Sequence, residues 1–149
     1  GTTHECRGKI RRIDLGHRFI TNVLELQLPI HGLQWEPAVA ALSAMHALIA
    51  AAPVVGVAQN DIGGSLSVGP GGAMTEVIFD EVPGGAGHTR FLKAHLFDLA
   101  TGAIDRVSEC TCGEETSCYG CLRSYRNQFD HDKLARKAAI EVLERVLSS

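Results

Sequence analysis

Four of the five cysteines in this 149-residue chain crowd into one short stretch, Cys110-Thr-Cys112, five residues, then Cys118-Tyr-Gly-Cys121. No other feature restricts the fold as strongly. Zinc prefers four thiolates or imidazoles in a tetrahedron, with sulfur at about 2.3 Å. A Cys-x-x-Cys turn points both sulfurs inward, and the tighter Cys-x-Cys also brings two thiolates together. Gly113 and Gly120, beside cysteines, permit the backbone conformations that such knuckles require. Four soft ligands leave no open coordination position, so the expected site is structural and not a Lewis acid carrying water. The metal then supplies folding energy to a loop with little core of its own. Three alternatives remain at this point. An iron–sulfur cluster also takes four cysteines. Cys118-x-x-Cys121 has redox spacing, though it lacks the preceding strand and βαβ setting of a thioredoxin motif. The four thiols can also be a chance grouping. His131 and Cys6 are spare ligands that the site does not require. One Zn2+ per chain is the expectation.

The odd cysteine count, the clustering and the lack of a signal-peptide pattern argue against a secreted disulfide framework and for a reducing, cytoplasmic setting. With 45% hydrophobic and 21% charged residues, a chain of this length can bury a sizeable core as one domain. No apolar run approaches the roughly 20 residues of a membrane helix. The weakly polar stretch from Pro37 to Val57 is interrupted by Ser43, His46 and Pro53, and no membrane association is expected. The chain opens Gly-Thr-Thr without Met, which suggests a piece of a longer protein. A single domain over 1–149 is expected, with a sheet and helix body at 1–107, a zinc loop at 108–126 and a C-terminal helix at 130–148.

The net charge of −3 argues against nucleic-acid binding by bulk charge. Its distribution is uneven, because every Lys and Arg lies in Arg7–Arg18 or Arg90–Arg145. The middle carries only Glu25, Glu36, Asp61, Glu76, Asp80 and Glu81. Core layers with few solvated faces explain that middle; two basic ends forming a patch is the sharper alternative.

Arg18 to Leu28 alternates apolar and polar residues with a phase change near Val23, a strand pattern with a bulge, and Lys9–Leu15 can pair with it across Gly16. Pro37–Ala52 has helical spacing, with Pro37 in the first turn and Pro53 as terminator. Val54–Gln59 and Ser65–Val68 read as two strands joined at Asn60–Gly64. Thr75–Asp80 is a buried-type strand, and Phe91, Leu92, Leu96 and Leu99 make Thr89–Leu99 helical. In the last helix Leu134, Ala138, Val142 and Val146 repeat every four residues. Asp130 is its expected N-cap, and Lys137, Glu141 and Arg145 are spaced for i,i+4 pairing. The order implies an α+β fold, a mainly antiparallel sheet packed by helices, with a four-cysteine zinc loop before the C-terminal helix.

Two further segments can carry chemistry. Asp80, Gly84, Gly85, Gly87 and His88 form a glycine loop between a strand and a helix, where backbone N–H groups can cradle an anion. It lacks the Lys-Ser/Thr pair of a P-loop and does not fit the dinucleotide fingerprint, so a tight strand-to-helix turn is favoured. Asp80, Glu81 and His88, with Asp61 as a further candidate, can be assembled into an acid–base site, which leaves a phosphoesterase or nuclease as an alternative. After the cysteines, Arg123, Tyr125, Arg126, Asn127 and Gln128 suit contact with nucleic acid or a partner. Phe129 is expected in the core.

Asp80-x-x-Pro83-Gly84-Gly85-Ala86-Gly87, Cys110-x-Cys112 and Cys118-x-x-Cys121-Leu122-x-Ser124-Tyr125-x-Asn127-Gln128, with His131 and a closing helix bearing Arg136, resemble the MrfA-like zinc-binding domain family. The resemblance runs from about Thr75 to the end and more loosely includes Phe19–Leu24, where Asn22 replaces an acidic residue. It implies zinc on Cys110, Cys112, Cys118 and Cys121. It also implies a parent that unwinds or translocates on DNA in repair or phage defence, where this non-catalytic domain braces the motor and can touch DNA. The competing expectation is a docking module of a multi-subunit system.

Overall fold

From Pro37 to Ala51 the sequence is so rich in alanine that neighbouring elements can approach the helix from every side. The computed structural model, which describes residues 18–149, places this helix, α1 (Pro37–Ala51), at the centre. The Lys9–Leu15 arm and Cys6 lie outside the described residues. Eleven residues of α1 are buried, including Ala40, Ala41, Ala44, Met45, Ala47 and Leu48. A helix apolar all round is a core helix, and α1 packs on the sheet as well as on the two helices at Leu96–Glu109 and Arg136–Ser148.

Pro53 does not stop the chain turning. It occupies the first turn of a 3-10 segment, Ala52–Val55, where its missing N–H costs nothing. The combined helical run, 37–55, is long and apolar enough by composition to cross a membrane, contrary to the expectation from sequence, but 67% of its most apolar window is buried inside this domain. Gly56, at φ +89°, then ends the turn, with its N–H on the Pro53 carbonyl at 3.1 Å. The expected strand at Val54–Gln59 is therefore replaced by 3-10 turns at Ala52–Val55 and Gln59–Asp61.

The sheet is antiparallel, in the order β1 (Val23–Leu26), β3 (Met74–Asp80), β2 (Ile62–Val68). β2 begins at Ile62, so Gly63 and Gly64 sit inside the strand and not in the expected turn. A Cβ on Gly64 would lie 2.6 Å from Ile49 Cδ1 and 2.9 Å from Met45 Sδ, so α1 can approach the sheet this closely only over glycine. β1 is short and pairs regularly, Val23 with Phe79 through Leu26 with Glu76, without the expected bulge. In β3, Glu76, Ile78 and Asp80 are fully buried on one face. Burial pushes the Glu76 carboxyl up, and the backbone N–H of Leu28 reaches it at 3.4 Å.

The expected helix at Thr89–Leu99 is two helices, α2 (His88–Ala94) and α3 (Leu96–Glu109). His95 breaks them: its N–H ends α2 on the Phe91 and Leu92 carbonyls, and its ring stacks on Phe91 at 4.1 Å. Leu99, Ala100, Ala103 and Val107 form the buried stripe of α3.

The final helix, α4 (Arg136–Ser148), starts six residues after the expected position. Tyr125–Lys133 forms 3-10 turns, and Leu134 and Ala135 are extended, with Ala135 N–H donating to the buried Ser43 Oγ at 2.9 Å. Asp130 is thus no N-cap. The charges on α4 do not pair along the helix either. Lys137 meets Glu114 at 3.3 Å, Glu141 accepts the Trp35 indole N–H at 3.0 Å, and Arg145 donates to the Pro29 and His31 carbonyls. They pin the two flanking loops to the helix.

Candidate metal centre

α3 ends at Glu109 and the chain turns extended at Cys110 (φ −70°, ψ 136°), which starts the cysteine loop at the rim of the helical layer. The second pair is a tight turn in which the N–H groups of Cys121, Leu122 and Arg123 all converge on the Cys118 carbonyl at 3.0–3.1 Å. Within this turn two N–H groups point at sulfur: Cys118 N–H at Cys121 Sγ and Gly120 N–H at Cys118 Sγ, both at 3.3 Å. A side chain at position 120 would crowd that sulfur, since its Cβ would stand 3.3 Å away.

The four Sγ atoms lie within 4.8 Å of one another: 3.4 Å between Cys110 and Cys118, 3.7 Å between Cys112 and Cys121, and 3.9 Å between Cys118 and Cys121. A tetrahedron with 2.3 Å arms has sulfur–sulfur edges of about 3.8 Å, whereas a disulfide needs about 2.05 Å. The donor set therefore fits one thiophilic ion. Cys121 is buried and the other three are half-buried.

The sulfurs are electrostatically unequal. The Cys112 N–H directed at Cys110 brings that thiol down to about 7. Burial, then the neighbouring sulfurs, push Cys112 up to about 12, and burial also pushes Cys121 up. Thiols so crowded resist shedding their protons together unless a cation compensates them.

The loop is fastened to the body by contacts that spacing in the sequence cannot reveal. Arg136 sends Nη1 to the Val107 carbonyl at 3.1 Å and Nη2 to the Cys112 carbonyl at 2.9 Å. Arg106 Nε donates to the Cys121 carbonyl at 3.1 Å. In return, the loop caps α4, which has no side-chain cap. The Arg136 N–H meets the Thr116 carbonyl at 2.8 Å, and the Lys137 N–H meets the Glu114 carbonyl at 2.9 Å. Arg136→Gln is expected to speed transfer of zinc to a chromophoric chelator and to weaken metal affinity by roughly 10–100-fold, the usual cost of losing support around a ligand. An unchanged release rate would refute the clamp.

The residues expected to make outside contacts divide in two. Arg123 is committed internally, with Nε on Ser117 Oγ at 2.9 Å and Nη2 on Thr116 Oγ1 at 3.4 Å. Arg126 donates to the Asn60 carbonyl at 2.9 Å and pairs with Glu81 at 3.2 Å. Asn127 is buried: its Oδ1 accepts Ser124 N–H and its Nδ2 donates to the Leu122 carbonyl, both at 2.8 Å. His131 Nε2 faces two acceptors at 2.9 Å, the Ser124 carbonyl and Asn127 Oδ1, and supports this turn rather than the metal. Tyr125 and Gln128 are exposed. Phe129, expected in the core, is 86% exposed instead, because inward-facing Asn127 leaves the position two residues later pointing outward.

The glycine loop is a closed turn. Asp80 Oδ2 accepts the N–H groups of Ala86 and His88 at 2.7 and 3.1 Å, and Oδ1 accepts that of Thr89 at 2.8 Å. Gly84, Gly85 and Gly87 all have positive φ, and a Cβ on Gly85 would lie 2.4 Å from Asn22 Nδ2. The N–H groups of Ala86, His88 and Thr89 are thus occupied by Asp80, and those of Gly84 and Gly85 by the Ile20 and Val82 carbonyls, so none of these five is available to cradle an anion. His88 approaches Asp61 at 3.7 Å, while Glu81 faces Arg126. The expected acid–base trio does not converge.

The model of a family described as the MrfA Zn-binding domain matches residues 44–122, a range that includes all four clustered cysteines. Druantia protein DruE of Escherichia coli (strain UMEA 4076-1) is 27% identical over 164 aligned residues, covering 98% of this chain and 9% of that protein. The crystal structure of the DUF1998 helicase MrfA bound to DNA matches with a TM-score of 0.56 at 18% identity, over 78% of this chain and 15% of that one. That likeness is one of fold, and the chain spans only a small part of either protein.

Proposed function

As the chain belongs to the MrfA Zn-binding domain family, we propose that it is a non-catalytic accessory domain of a helicase- or translocase-like protein, held together by one zinc ion on Cys110, Cys112, Cys118 and Cys121. The observation that carries this reading is the closed set of four sulfurs clamped to the bundle by Arg136 and Arg106. Such a set fixes a loop and leaves no coordination position for substrate. Its use is mechanical: it makes a rigid body of α3, the cysteine loop and α4 that can brace a motor and present a surface to DNA.

A second surface favours docking against adjoining domains. Val54, Phe91 and Phe97 are exposed, by 66%, 43% and 69%, and Val54 and Phe91 line one surface cavity, which suits burial against protein. In this reading ATP turnover belongs to other parts of the parent, and the name of the Druantia relative favours a defence setting. In a reducing compartment the thiols stay available to the metal.

The test is to replace Cys118 and Cys121 by Ser in the parent. DNA unwinding or translocation is expected to fall while nucleotide binding by the motor persists. Phosphodiester or ATP hydrolysis by the 149-residue chain alone would overturn the reading.

A further inference from the structure

Three aromatic rings stand in solvent on one small block, the second cysteine turn and the segment that follows it. Tyr119 is 63% exposed, Tyr125 77% and Phe129 86%. Burying an aromatic side chain is ordinarily favourable, so three left out on so firm a base call for an occupant. The base is firm because Asn127 ties both ends of its turn and His131 bonds the same turn. His131 also meets Tyr119 edge-on, with centroids 5.4 Å apart and planes at 90°. Tyr125 and Phe129 lie two residues to either side of the inward-pointing Asn127.

The chemistry around the rings selects among occupants. From Arg123 to Lys133 the sequence, RSYRNQFDHDK, contains no aliphatic residue. The surface cavity at Val54 and Phe91 includes an aliphatic side chain and suits a protein. Separate rings set among hydrogen-bonding side chains suit planar, polar-edged partners, the bases of nucleic acid. Nearby cations are already engaged: Arg126 with Glu81 at 3.2 Å, Lys133 with Asp130 at 3.3 Å, and Arg123 with two hydroxyls. The block thus offers rings more than charge. A duplex, which presents phosphates and hides its base faces, gains little here.

We propose that Tyr119, Tyr125 and Phe129 form a stacking platform for the unpaired bases of single-stranded nucleic acid, built on the cysteine turn. This rests on the accessory-domain reading and specifies what its surface would touch. The experiment is fluorescence anisotropy with the zinc-loaded 149-residue chain, using a labelled oligo-dT strand and a duplex of equal length across a salt series. Binding is expected to favour the single strand, with a log–log salt slope below about 2 in magnitude. Tyr125→Ala and Phe129→Ala are each expected to weaken it on the order of tenfold, and Tyr125→Phe to preserve it. Absence of single-strand binding, preference for duplex, or alanine variants that bind as the parent does would each overturn the platform; the last result would assign the rings to a protein partner. Zinc content and melting temperature are read on the same samples. A metal-free chain would instead indict the accessory-domain reading, so the two failures are distinguishable.

Discussion

Removing the metal with a tight chelator, or replacing Cys118 and Cys121 by Ser, is expected to abolish a stoichiometry of about one zinc per chain and to release the cysteine loop, the Tyr125–Lys133 turns and the first turn of α4 together. These parts share their bonds. Without a fixed loop, the Thr116 and Glu114 carbonyls no longer cap α4, and the Cys112 carbonyl no longer holds Arg136. Structural zinc contributes roughly 10–16 kcal/mol in zinc-finger peptides that have almost no other core. This chain keeps the cluster around Leu24, Met45, Ile62 and Ile78 regardless, so a smaller loss, about 5 kcal/mol, is the reasonable scale. For a domain of this size that lowers Tm by roughly 10–20 °C. Differential scanning calorimetry with and without chelator measures it. An unchanged Tm in the metal-free chain would sink the structural role, and a visible iron–sulfur chromophore would replace zinc with another ion.

Asp80→Ala is expected to cost about 3–5 kcal/mol, because it removes a buried carboxylate that accepts three backbone N–H groups and strands all three donors. Asp80→Asn falls between, since its amide restores one acceptor and turns an NH2 toward the remaining donors. The pH dependence has a definite sign. Burial works to raise the Asp80 pKa, but the N–H groups of Thr89, Ala86 and His88 outweigh it and hold the carboxyl below the ordinary 3.8. A lowered folded-state pKa contributes stability that is full above the unfolded value and lost as pH falls through the folded one. The gap between wild type and Asp80→Ala, measured by urea unfolding, should therefore be constant near neutrality and narrow below about pH 4. A gap that widens in acid would contradict this account of the loop.

What the sequence disclosed was local chemistry. Four thiols at knuckle spacing announce their ligand, and the alanine-rich run of α1 and the four-residue apolar repeat of α4 announce helices, because these signals sit within a few residues. The α+β class followed from the order of those signals. The structure departs from these readings where a neighbouring breaker or a distant partner decides. Val54 and Val55 have strand propensity, yet Pro53 and Gly56 on either side impose turns. Leu96 and Leu99 continue the period of Phe91 and Leu92, and nothing in that period shows that His95 closes one helix and opens another. The start of α4 depends on carbonyls about 20 residues upstream. That Arg126 bonds Asn60 and Glu81 is not legible locally, because both partners are remote in sequence. Phe129 looked like core because nothing local reveals that Asn127 takes the inward position.

The all-round apolar character of α1 also bears on how the chain survives its own synthesis. A ribosome finishes Ala51 well before Ser148, the end of the last helix to cover it. At roughly 5–20 residues per second, the intervening stretch takes on the order of 5–20 s to emerge. Through that interval a segment apolar enough by composition to cross a membrane is covered only in stages, by β2 and β3, then by α3, and last by α4. The domain is thus expected to depend on chaperones that hold such segments until the cysteine loop and α4 arrive, and zinc starvation should prolong that dependence in the cell.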